Sequence, residues 1–458
     1  MGAKSLLHLG LVTRRMSGVL LIAFCVFTTS ASGQQPKDPP KDPPKTAPGT
    51  ADEEKAKEAF LAGKLDDALK LLQAASKANP AFPPAKVVAA RWCVETGNGQ
   101  QARVLIEQAA AEDSTHPDVF LTNASFALGE GRITDAILGC STALAMTEST
   151  RWDADTKKRY QREARLGLAA AFEVRGDHAS VKTHVSALLE ADPRNAGLRQ
   201  RLARTSFLLG RTEDAFTDLQ AAAKEDPTLD PPQLSMAQLW TAKQDFAKAD
   251  EWYAKAVAAH PNSAKVHRGL AGYLLDRGRL DTAKAHIAAA QKMEPTARDT
   301  KALTGLAARY AKDYTAAATI FEELVKDHPS FGFGVVNLAL VLAESGDLTG
   351  KRRATELAEG YAKQNPRAGE PRAVLAYCLF KAGRAADAEK MGRSAVGLGS
   401  LSPDAAYFLA KVFADRGASE EAQKIVKAAC ESKDGFVYRK EAEELLAELN
   451  KKLPPPKK

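Results

Sequence analysis

From residue 49 onward, apolar positions recur three and four apart in short blocks, and each block predicts an amphipathic helix with one buried face. The blocks come in pairs around a turn residue: Gly63, Gly97, Gly131, Gly176, Gly210, Gln244, Gly278, Lys312, Gly346, Gly383 and Gly417. Most successive turn residues are 34 positions apart. Five positions after the turn stands Ala68, Ala102, Ala136, Ala215, Ala249, Ala283, Ala317, Ala388 or Ala422, and twelve after it Ala75, Ala109, Ala143, Ala222, Ala256, Ala290, Ala395 or Ala429. Seventeen after it comes Pro80, Pro193, Pro227, Pro261, Pro295 or Pro329. Upstream, a Leu-Ala or Met-Ala pair recurs, as in Leu202-Ala203, Met236-Ala237 and Leu270-Ala271.

Each recurrence has a mechanical reason. Glycine reverses the chain without a Cβ penalty, and small alanines let two helix axes cross closely. Proline ends the second helix and starts the next unit. A single hairpin cannot bury its apolar face, whereas stacked neighbours can.

These residues resemble the tetratricopeptide repeat family in the 34-residue period, the Leu-Ala pair, the glycine, the two alanines and the terminal proline. The resemblance implies an all-α, right-handed superhelical solenoid of about eleven helix-turn-helix repeats over 49–436. The family's early tryptophan is essentially missing, with only Phe120 aromatic there. Val181 replaces the first alanine of the fourth unit, and three extra residues around Gly350 push the ninth unit's alanine to Ala354 and its proline to Pro366. The third and fourth units are 45 apart, the excess falling near 148–161. There Asp153 or Asp155 could cap a lengthened first helix; the segment is either a sub-domain boundary or a surface insertion. After the eleventh unit, 437–450 reads as a charged amphipathic helix able to cap the open end.

The ends differ in kind. Residues 1–33 combine Lys4, Arg14 and Arg15, the apolar run 18–27, and small residues up to Ala31-Ser32-Gly33. This reads as a signal peptide, the apolar run being too short to span a membrane. Thr13-Arg14-Arg15 partly resembles a twin-arginine signal, and Cys25 is a lipidation candidate preceded by bulky Phe24. The expected location is periplasmic or extracellular, with an uncleaved membrane anchor as the lesser alternative. Residues 34–48, with KDPP in tandem, form a Pro/Lys/Asp-rich disordered linker. Residues 451–458 form a disordered tail.

The formal charge of +7 sits in these ends, leaving the body near neutral and without the basic footprint of a nucleic-acid binder. Cys93, Cys140, Cys378 and Cys430 make no CxxC, so no metal site is expected. Export would allow a disulfide between Cys93 and Cys140, which lie in adjacent repeats. The histidines form no HExxH, and no GxGxxG, P-loop or GxSxG occurs. His260 and His328, just before unit-ending prolines, fit helix C-termini. The chain is read as a non-enzyme without a cofactor.

What remains is binding by surface. The resemblance implies a concave groove lined by residues two, three, six, ten and thirteen before each turn. One zone then holds Gln200, Arg204, Phe207, Lys265 and Arg268, with Arg201 adjacent; a second holds Phe333, Val336, Leu340, Tyr377, Phe380, Lys381, Tyr407 and Lys411. Exposed aromatics there would form a recognition strip, unless they pack between hairpins. The expected function is a protein-protein interaction scaffold or assembly adaptor of the cell envelope, holding a protein or peptide. The alternatives are an accessory factor for envelope polysaccharide export or peptidoglycan processing, and a regulatory subunit of a partner enzyme.

Overall fold

The computed structural model describes residues 50–452 except Pro80, Gly346, Ser400 and Asp434. The signal-peptide reading of 1–33, the linker reading of 34–48 and most of the tail therefore lie outside the described residues. Every regular element among the described residues is a helix. None of these helices is long and apolar enough to cross a membrane.

The chain divides into two compact units, one ending at Leu229 and one beginning at Asp230. The described part of the N-terminal unit contains five helix pairs: α1 (Thr50–Leu61) and α2 (Leu65–Ala78); α3 (Ala85–Glu95) and α4 (Gly99–Glu112); α5 (Pro117–Gly129) and α6 (Ile133–Met146); α7 (Ala154–Arg175) and α8 (His178–Ala191); α9 (Ala196–Leu208) and α10 (Thr212–Glu225). The C-terminal unit contains six more: α11 (Pro232–Ala242) and α12 (Phe246–Ala259); α13 (Ala264–Asp276) and α14 (Leu280–Met293); α15 (Arg298–Tyr310) and α16 (Tyr314–Asp327); α17 (Gly332–Glu344) and α18 (Leu348–Gln364); α19 (Gly369–Lys381) and α20 (Ala385–Val396); α21 (Pro403–Asp415) and α22 (Ser419–Glu431). A last helix, α23 (Arg439–Lys452), buries Ala442, Leu445 and Leu449 and packs on α22.

The turns explain the period. Eight of the glycines in the turn series have positive φ, between 70° and 81°. Gln244 and Lys312, which stand in the glycine's place, take the same left-handed conformation, at 61° and 58°. The following amide then reaches back to close the first helix: Lys64 N donates to Ala59 O at 2.9 Å, and Asp313 N to Ala308 O at 3.0 Å. Asn98, Asp177, Asp245 and Asp313 go on to cap the second helix with their side chains. The two alanine series are almost wholly buried, none more than 3% exposed, as close helix crossing requires. Val181 fills the same kind of site in the fourth pair without exposure.

Within each unit the first helices of successive pairs pack on one another. In the N-terminal unit α3 meets α5 and α5 meets α7; in the C-terminal unit α11, α13, α15, α17, α19 and α21 form one succession. The longer spacing before the fourth pair becomes a 22-residue helix, α7, whose N-terminus is capped by Asp153 accepting from the amides of Asp155 and Thr156. The segment 148–161 thus lies inside the N-terminal unit.

One expectation is corrected. Cys93 and Cys140 are free thiols in separate apolar clusters. Cys140 Sγ occupies the space beside Gly167 where a Cβ would stand, and burial pushes its thiol up to about 12. A small buried thiol here serves as packing.

Candidate functional site

The first helices position two groups of polar and aromatic side chains, one in each unit. In the N-terminal unit the focus is Asp118 on α5, which is completely buried. Arg91 on α3 donates through Nη2 to Asp118 Oδ1 at 2.5 Å and through Nε and Nη2 to Thr122 Oγ1 at 3.1 and 2.9 Å. Tyr160 on α7 donates its hydroxyl to Asp118 Oδ2 at 2.9 Å, and Arg159 Nη2 lies 3.7 Å from the same oxygen. Burial opposes the Asp118 charge, but Arg91 and then Arg159 outweigh it and hold the carboxyl below its usual range.

Glu163, one turn along α7, has the opposite fate. Burial, and then repulsion from Asp118, push its carboxyl up to about 7. His116 caps α5, its Nδ1 accepting from Asp118 N at 3.2 Å, and stands edge-on to Trp152 and Tyr160 at 5.2 and 6.0 Å. Burial holds its imidazole below the usual value, against the pull of Asp118. The lengthened spacing therefore has a use: Trp152, Arg159 and Tyr160 all come from it, and Arg159 reaches Ala81 O at 3.3 Å.

Further along this unit the side chains are more open. Arg204 is exposed, with no ion pair among the described residues, and Val174 and Leu208 are about half exposed. Gln200 is half-buried. Arg201 is committed to Glu173 through two parallel bonds of 2.7 and 2.9 Å. Phe207 belongs to the core.

In the C-terminal unit the candidates are largely engaged. Lys265 Nζ lies 3.6 Å from Asp230, and Arg268 pairs with Glu294. Phe333 stands edge-on to Phe321 at 6.4 Å. Val336 and Phe380 are half-buried and Leu340 is buried. Tyr377 stacks on Phe408 at 4.2 Å and donates its hydroxyl to Glu344 at 2.5 Å, and Lys381 Nζ meets the other Glu344 oxygen at 2.7 Å. Lys411 is half-buried, without an ion pair among the described residues.

The expected strip of exposed aromatics is not met at Tyr377 and Tyr407. Both are buried, and the cover over Tyr407 comes from the chain itself. Tyr438 stacks on Tyr407 at 5.3 Å and stands edge-on to Phe408 at 5.3 Å, with the Arg309 guanidinium 5.5 Å from its ring. Its amide donates to Asp404 Oδ1 at 3.2 Å. Arg277 Nη1 donates to Lys433 O at 3.2 Å, and Lys312 Nζ meets Glu441 at 2.5 Å. Gly435 presses on α13 so closely that a Cβ there would stand 2.7 Å from Asp276 Cα and O. The stretch 435–438, which is not helical, thus touches the first helices of the seventh, eighth and eleventh pairs. Beside it a cavity of about 600 Å³ is lined by residues that include Gln244, Phe246, Asp276, Arg277, Phe436 and Lys440.

Sequence reasoning passed over most of these groups. Arg91, Asp118, Glu163, Arg309, Glu344 and Asp404 all stand two, three, six, ten or thirteen positions before their turns, so the spacing rule itself could have found them. No periodicity pointed to Tyr438. Among the described residues no cluster of three or more His, Cys, Asp or Glu could hold a metal ion.

Paired helices, a left-handed turn and buried alanines at fixed offsets define a helical-hairpin repeat array. Residues 59–121 match the family model described as tetratricopeptide repeat. Over those residues the chain is similar to tetratricopeptide-repeat proteins. No curated protein sequence matches it. Similar solved structures include yeast Tom70, at 16% identity over 88% of this chain and 96% of that chain, with a TM-score of 0.37. A tetratricopeptide repeat protein from Parabacteroides merdae is 14% identical over 63% of this chain and 99% of that chain, with a TM-score of 0.38. The pilF protein of Pseudomonas aeruginosa is 16% identical over 46% of this chain and 95% of that chain, with a TM-score of 0.33.

Proposed function

We propose that this chain is a non-catalytic interaction scaffold of the cell envelope that holds partner proteins against the first helices of its repeats. One observation carries the reading. The first helices of the C-terminal unit already hold a non-helical stretch of polypeptide, with Tyr438 in an aromatic clamp and its amide bonded to Asp404. A surface that seats one such peptide has the shape and the polar partners to seat another. In the N-terminal unit, Val174, Arg204 and Leu208 combine exposed apolar area with a cation that makes no ion pair among the described residues, the composition of a contact patch. The leader-like composition of 1–33 supports export.

The test is crosslinking in envelope fractions with the full chain and with an Arg204→Glu, Leu208→Asp variant. Both positions are exposed, so folding is expected to persist. The wild type should yield a discrete crosslinked partner that the variant loses. Equal recovery by both, or none by either, removes the binding reading. Recovery of the protein only from cytosol, leader intact, removes the envelope assignment.

A further inference from the structure

We propose that residues 435–441 are an exchangeable occupant of the C-terminal unit, and that its external partner is a protein segment of the same chemistry. That chemistry is a glycine, an aromatic residue next to it, a tyrosine two further on, and a carboxylate three beyond that. The inference rests on the binding role proposed above and names the ligand class for one of its surfaces.

Three of the four elements have their own receptor on the helix pairs, and the fourth borders the cavity. Gly435 lies where no side chain fits, against the backbone of Asp276. Phe436 borders the cavity and is covered on one face by the Arg439 guanidinium at 5.3 Å. Tyr438 enters the clamp of Tyr407, Phe408 and Arg309, with its amide on Asp404. Glu441 answers Lys312 at the surface. Three separate contacts with the helix pairs in seven residues, with Phe436 set at the cavity, amount to a recognition motif rather than to general apolar cover.

The same geometry makes the occupant replaceable. Residues 435–438 lie outside any helix, only 439–441 belong to the first turn of α23, and the cavity beside Phe436 leaves the fit incomplete. The buried tyrosines beneath it complete a surface that a second peptide could also complete. Held by its own chain, the segment competes at an effective concentration in the millimolar range. An external ligand must therefore bind tightly, or meet a chain whose segment is loosened.

Gly435→Ala provides that loosening. The added methyl collides with the backbone and Cβ of Asp276, the half-buried residue that closes α13. The probe is a fluorescent peptide of residues 435–442, GFVYRKEA, titrated by anisotropy into full-length wild type and Gly435→Ala. The variant should bind at least tenfold tighter than the wild type, and a peptide with alanine at the tyrosine should bind neither. Hydrogen exchange supplies the folding control: amides of 436–438 should lose protection in the variant while those of α21 keep theirs. Lys312→Glu, which breaks only the exposed pair with Glu441, should move both readouts the same way by a smaller factor. If the peptide binds no variant, or binds irrespective of its tyrosine, the inference is overturned and the segment is a fixed part of the fold. Loss of α21 protection in both variants overturns it as well, because the segment would then be integral to the array. Such failures with the crosslinked partner of the N-terminal unit still recovered leave the scaffold reading standing; loss of both removes it.

Discussion

Asp118→Asn tests how the lengthened α7 is held in the N-terminal unit. The substitution keeps the shape of a fully buried side chain and its bond from Tyr160, but deletes the charge shared by Arg91 and Arg159. Removing one member of a buried ion pair costs about 3–5 kcal/mol, most of it from the charge left behind. The lower end applies here, for two reasons. The Arg159 side chain is 39% exposed and can be rehydrated. Glu163 is freed from its repulsion by Asp118 and can ionise beside Arg159, 3.7 Å away. A loss of about 3 kcal/mol corresponds to roughly a hundredfold fall in protection from hydrogen exchange. Mass-spectrometric exchange of peptides from α5 and α7 should show it at pH 7, with peptides from α21 unchanged. A second signature lies in pH. In the wild type, Glu163 carries a raised carboxyl, so it destabilises the fold progressively as pH rises from its unfolded value near 4.5 to about 7. In the variant that dependence should shrink. A fall in protection below fivefold, or an equal fall in α21, would refute the assignment of Asp118 as the centre of this network.

Two further outcomes are expected. Burial lowers the folded pKa of His116, His184 and His286, so their contribution to stability is present above the unfolded value near 6.5 and is lost as pH falls below it. Thermal melts at pH 7 and pH 5 should differ in that sense, and a His286→Gln variant should reduce the difference. Gly305→Ala and Gly360→Ala separate packing from helix propensity: at 305 the new Cβ would lie 2.8 Å from the Phe321 ring, whereas at 360 it meets nothing within 4 Å. The first should cost about 1–3 kcal/mol and the second gain up to about 1 kcal/mol in urea titrations.

The fold was legible because the residues that make it are forced to repeat. A left-handed turn and a close helix crossing accept few side chains, so glycine and alanine return in register. Gln244 and Lys312 were still recognisable as turns from spacing alone, and both adopt the turn conformation. The candidate surface was legible only in position. Offsets from each turn located the first-helix face, but could not tell that Arg201 is spent on Glu173 or that Tyr407 lies beneath Tyr438. Those outcomes depend on partners 28 and 31 residues away, whose identities vary from unit to unit. Arg277 with Lys433, separated by 156 residues, belongs to no period at all.

That last contact bears on how the chain assembles. A repeat array normally folds by nearest-neighbour contacts and can grow one hairpin at a time as the chain emerges. Bringing Lys433 to Arg277 and Glu441 to Lys312 closes loops of 156 and 129 residues, and such closures come late because their entropy must be met before the contacts form. The clasp around Tyr438 is therefore expected to be the last event of folding, made only after all six hairpins of the C-terminal unit are in place. During synthesis, the surface it will cover stands open.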